Sequence, residues 1–133
     1  MVEYLKYISM ENNSPIGILT YITPDCFTYM NFLDDEIEFK QNFIEKEFKS
    51  WSERIETINL YELNDYYPPR EGVPGTYTWE IVYKEEGKPE KVSMGYKNYS
   101  RKIADLIMLI TDIVDRYRKQ RKCIKQNIKL LDD

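Results

Sequence analysis

The stretch Thr76-Tyr77-Thr78-Trp79-Glu80-Ile81-Val82-Tyr83-Lys84 decides the fold. Its large residues Tyr77, Trp79, Ile81 and Tyr83 fall at every second position, with Thr78, Glu80 and Lys84 between them. That period puts four bulky side chains on one face of a strand and polar ones on the other. Glu85-Glu86-Gly87-Lys88 supplies turn chemistry, and residues 91–96 alternate again through Val92, Met94 and Tyr96, so the two runs predict a hairpin. Gly95 inside the second run predicts a bulge. A helix from about 99 to about 125 follows, because Ile103, Leu106, Ile107, Ile110, Ile113, Val114 and Tyr117 recur at three- and four-residue spacing, continued more weakly by Ile124, Ile128 and Leu131. A strand face of four large residues needs a cover, and this helix provides one.

Upstream, Val2, Tyr4, Lys6 and Ile8 lie opposite Leu5 and Tyr7, and residues 16–22 are rich in β-branched side chains. With Glu11-Asn12-Asn13-Ser14-Pro15 as the turn, these segments predict another hairpin. Thr23-Pro24-Asp25 has the chemistry of a helix start, and Cys26, Phe27, Met30 and Leu33 then keep helical spacing. A stronger stripe of Ile37, Ile44, Phe48, Trp51 and Ile55, widened by Phe39 and Phe43, predicts an amphipathic helix over about 37–52. Ile58, Leu60 and Tyr61 then stand in a strand-like context over 55–63. Residues 64–75 hold three prolines and two glycines and read as one irregular loop. The resulting expectation is an α+β fold: a mainly antiparallel sheet of about five strands, covered by the helices near 37–52 and 99–125. All 133 residues form one domain in this reading, with a basic helical tail, 118–133, projecting from it.

The order Trp79-x-Ile81-x-Tyr83, a glycine turn, Gly95-Tyr96-Lys97-Asn98-Tyr99 and then an aliphatic helix resembles small bacterial and phage α+β domains. Those domains commonly have a proline after the tyrosine, where Ser100 stands here. The resemblance covers residues 78–113, about a quarter of the chain, and implies the fold without an activity.

A chain of 133 residues with 42% apolar residues can bury one core without disulfide or metal support. The absence of histidine excludes Ser-His-Asp and Cys-His nucleophilic sites and removes the commonest transition-metal ligand. Cys26 and Cys123 form no Cys-x-x-Cys pair, and the five glycines match neither dinucleotide nor Walker spacing. The opening residues lack a leader pattern, and Leu106–Ile110 is far too short a run to span a bilayer, which predicts a cytoplasmic protein with reduced thiols. Only Ala104 represents alanine, a bias expected of an A+T-rich genome such as a low-GC bacterium or its phage.

Charge is segregated. Residues 116–133 carry seven basic side chains against two acidic ones, +5, while the other 115 residues carry −9. Arg116, Arg118, Lys119, Arg121, Lys122 and Lys125 are therefore candidate phosphate contacts; alternatively they complement the acidic body and the dipole of their own helix. Tyr66 and Tyr67, where no period demands aromatics, and the nearby Arg70 are candidate protein contacts. Asp34, Asp35, Glu36 and Glu38 could hold a divalent cation beside a Glu-x-Lys triplet, but acids at a helix start explain them better. No catalytic residue, metal or cofactor is therefore assigned. The expected function is a non-enzymatic protein-binding module of a low-GC bacterium or phage, an inhibitor or accessory protein. A nucleic-acid-binding accessory protein is the alternative, and the C-terminal helix is also compatible with homo-oligomer formation.

Overall fold

The computed structural model describes residues 1–11, 16–69, 77–96 and 100–132, with the backbone alone for 123–132. Among the described residues, β1 (Val2–Glu11), β2 (Ile16–Ile22), β3 (Cys26–Asn31) and β4 (Glu36–Asn42) precede α1 (Glu45–Ile58) and a 3-10 turn at Leu60–Glu62. β5 (Tyr66–Tyr67), β6 (Tyr77–Glu85), β7 (Lys91–Tyr96) and α2 (Arg101–Asp132) follow. The strands make one sheet in the order β4-β3-β2-β1-β6-β7-β5. Every pairing is antiparallel except β5 with β7.

The fold is α+β, as the patterning predicts, and the mixed sheet has seven strands where about five were expected. Both predicted hairpins form, as β1–β2 and β6–β7. The differences lie between them. Thr23, Pro24 and Asp25 start no helix: the Thr23 hydroxyl accepts the Cys26 amide at 3.1 Å and closes a tight turn, for which the same residue types are suited. Cys26, Phe27 and Met30 then belong to β3. The helix expected from residue 37 begins at Glu45, because Ile37 and Phe39 belong to β4, where a register shift sets Phe39 opposite Tyr29 and Ile37 opposite Met30, and Ile44, 66% exposed, is the extended residue ahead of α1. Ile37, Ile44 and Phe48, seven and four residues apart, satisfy a helical period even though a break between strand and helix separates them.

Nor does residue 55 begin a strand. α1 runs on to Ile58 and stops at Asn59, whose φ of 62° and ψ of 57° are left-handed values that asparagine tolerates. Asp34 and Asp35 sit in the β3–β4 turn and Glu36 opens β4, so these acids stand at no helix start. The ladder through Gly95 is regular, without the expected bulge.

Both helices cover one face of the sheet. Phe48, Trp51 and Ile55 of α1 and Ile103, Leu106, Ile110, Ile113 and Tyr117 of α2 are buried with Leu5, Tyr7, Ile22, Phe27, Phe39, Trp79, Ile81 and Tyr83 from the strands. Tyr117 joins the layers: its ring lies 5.5 Å from Phe27 and 5.7 Å from Phe39. Burial therefore pushes its phenol well above the usual range. The expected C-terminal helix is present and its backbone extends to Asp132.

Candidate functional site

The face of the sheet turned away from the helices has no element laid across it among the described residues. Antiparallel sheets commonly leave one face to solvent, and that face is then polar. Here it is not. β1 contributes Tyr4, Lys6, Ile8 and Met10, and the register places Tyr21 and Leu19 of β2 beside Lys6 and Ile8. Val82 and Glu80 of β6 flank the same two residues on the other side, and Val92 and Met94 of β7 lie beyond them. Tyr66 pairs with Met94 and extends the face to the far edge. Ile37 is 53% exposed, Met94 42% and Tyr66 51%.

Two shallow hollows mark this surface. One, of about 220 Å³, lies between Ile8, Met10, Met94, Tyr96 and Tyr66. Another, of about 400 Å³, lies between Tyr4, Leu19, Tyr21 and Val82. Part of the polar lining is engaged, while Lys6 beside one hollow and Glu80 beside the other make no ion pair with a described residue. The Tyr4 hydroxyl donates to Glu90, a bond that pushes its phenol up to about 12, and Lys84 is paired with Glu3 at 2.5 Å. Partial desolvation by its neighbours, and then hydrogen bonding with Tyr96, raises the Tyr66 phenol above its ordinary value.

The loop expected over 64–75 contains a piece of regular structure, and that piece divides the tyrosine pair. Tyr66 and Tyr67 form β5 because the Met94 amide donates to the Asp65 carbonyl at 3.0 Å and the Ser93 hydroxyl donates to the Asn64 carbonyl at 2.5 Å. Alternation then sends the two side chains to opposite faces. Tyr66 stands on the open face, edge-on to Tyr96 at 6.4 Å. Tyr67 turns inward, 5.6 Å from the Trp79 ring, and its hydroxyl accepts the Asn64 amide. Arg70 lies outside the described residues.

The basic candidates also divide. Arg118 makes a bidentate pair with Glu38 at 2.8 and 3.0 Å, which favours its charged form. Arg121 donates to the Glu38 carbonyl at 2.5 Å and lies over the Phe39 ring at 4.4 Å. Arg116, Lys119 and Lys122 are exposed. The side chain of Lys125 lies outside the described residues. Cys26 is a free thiol, 3.8 Å from the Thr28 hydroxyl.

Among the described residues, no helix is long and apolar enough to cross a membrane, and no group of three or more acidic or cysteine side chains is placed to hold a metal ion. The sequence reading missed Leu19, Met30, Val82 and Met94 as surface residues. The available signal was that β1 and β2 are apolar on both faces, which a half-solvated sheet does not require. No protein-family model matches the chain, and no curated protein does.

Proposed function

We propose that the chain is a non-enzymatic protein-binding module whose recognition surface is the open face of the sheet, with Tyr66 at its rim. The observation that supports this reading is the run of apolar side chains from Ile37 of β4 to Tyr66 of β5 with no described element over it. Contiguous exposed apolar surface of this kind marks interaction sites, and methionine and tyrosine are residues enriched there. Exchanging Tyr66→Ser together with Met94→Lys keeps the buried face untouched and sets the new lysine beside Glu80. Affinity capture with the parent is expected to retain a stoichiometric protein, another copy included, that the double variant loses. Equal retention by both chains overturns the reading.

Nucleic-acid binding is a second reading, favoured by the exposed Arg116, Lys119 and Lys122. Arg118 and Arg121 are already engaged by β4, so fewer phosphates are within its means. The slope of affinity against salt reports their number, about −0.9 per phosphate neutralised on duplex DNA. No retardation of duplex or single-stranded nucleic acid at about 50 mM salt, where phosphate contacts are strong, overturns it.

A further inference from the structure

The open face carries a charge pattern that specifies its occupant. At its centre, Lys6 on β1 and Glu80 on β6 are diagonal cross-strand neighbours, since Lys6 pairs with Val82 and Ile8 with Glu80. Neither makes an ion pair with any described residue. Around them stand Leu19, Tyr21, Val82 and Met94, while Lys84 is neutralised by Glu3 and Lys40 lies at the rim on β4. Covering this centre with a purely apolar partner would take one cation and one anion out of water with no new partner for either. A nucleic acid would satisfy Lys6 and oppose Glu80. An occupant that offers an acid and a base at the same diagonal spacing, about 7–8 Å between positions on adjacent strands, satisfies both charges at once.

The chain's own open face offers both. We infer that this face docks against that of a second copy, about a two-fold axis that lies between the sheets and sets Lys6 of each copy against Glu80 of the other. This assignment names the partner for the protein-binding surface proposed above and rests on that reading. A two-fold axis running midway between the two residues exchanges their positions, so both ion pairs form at once, as an isologous interface requires. It also brings the strands of the two sheets close to perpendicular, one of the two preferred ways for sheets to stack. Six strands about 4.8 Å apart and about six residues long present roughly 600 Å² on each copy; crossed sheets overlap over about one strand length in each direction, roughly 400 Å² of flat area, which is the size of a weak, concentration-dependent contact and not of a permanent one. The central strand of the seven, β1, thereby becomes the centre of the interface.

Sedimentation velocity on the full chain from about 1 to about 200 µM tests this. The parent is expected to form a dimer. Lys6→Glu alone and Glu80→Lys alone each set like charges against one another in the pair, and each should weaken dimerisation by at least about tenfold, with unchanged circular dichroism. Mixed in equal amounts, the two variants present opposite charges at both contacts. They should form a heterodimer within about threefold of the parent's affinity, a recovery that loss of folding cannot produce. A parent that stays monomeric at about 200 µM overturns the inference. If that monomer still captures another protein that Tyr66→Ser with Met94→Lys loses, the protein-binding reading stands without it. A dimer indifferent to both charge changes, or variants that stay monomeric when mixed, overturns it equally.

Discussion

A methyl group on Gly95 would meet Tyr67 Cβ at 2.7 Å, Trp79 Cζ2 at 2.9 Å and the Tyr67 carbonyl at 3.0 Å. The absence of a side chain there lets β5 approach β7, which is how Tyr66 reaches the open face. Gly95→Ala is expected to cost about 1–3 kcal/mol, the range for overpacking a close contact, and to free β5 from the sheet. Urea unfolding reads the first effect and amide exchange at Met94, whose amide is held by Asp65, reads the second. Glu85 is the other residue with a measurable signature. It is 8% exposed and takes the Tyr83 hydroxyl at 2.8 Å and Lys88 at 2.8 Å. Burial acts to raise its pKa, but Lys88 and the Tyr83 hydroxyl together outweigh it and hold the carboxyl below its ordinary 4.5. A carboxylate depressed in the folded state contributes stability that is complete above its unfolded pKa and is lost as pH falls through its folded value. Stability should therefore decline below about pH 4.5, and Glu85→Gln should flatten that decline while lowering stability at pH 7 by about 2 kcal/mol, as thermal unfolding across pH 3–7 would show.

At the scale of elements, the edge strand β4 is held by α2. Arg121 occupies the Glu38 carbonyl and Arg118 its carboxylate, so a strand edge that would otherwise accept a neighbouring chain is partly blocked. Ending the chain after Tyr117 preserves the buried stripe of α2 but removes both arginines. Such a chain is expected to retain its strand and helix signals in circular dichroism yet to scatter more light at about 100 µM than the full chain, through pairing at β4. These same elements show where patterning was readable. β6, β7 and α2 each carry one period over many residues with nothing to compete with it, so Trp79 and Ile113 fall where the sequence puts them. The pattern fuses β4 with α1 because Ile37, Ile44 and Phe48 sit at intervals that fit a helix, and nothing local marks the break between Asn42 and Glu45. β5 was invisible for another reason. Its two residues have no period, and they pair only because distant Ser93, Met94 and Gly95 accept them. The open face was readable only in part, since it depends on which side the helices choose, a tertiary outcome. Tyr66 and Tyr67 both stand where no local pattern demands an aromatic, and the structure divides them, Tyr66 on the open face and Tyr67 beside Trp79.

For the whole molecule, strand order sets a schedule. The first four strands pair in succession and need nothing beyond Asn42, but β1 occupies the middle of the finished sheet and its second neighbour, β6, ends only at Glu85. At about 5–20 residues per second, synthesis takes roughly 2–9 s to travel between those points. Throughout that interval the nascent four-stranded meander has β1 as a free border, with the apolar faces of Leu5 and Ile8 both uncovered. α1 emerges in the same interval, and the contacts of Ser52 with the Val2 amide and of Glu56 with the amino terminus make it the first available cover for that border. The chain thus places its early helix where the ribosome's pace leaves the sheet most open to other nascent chains.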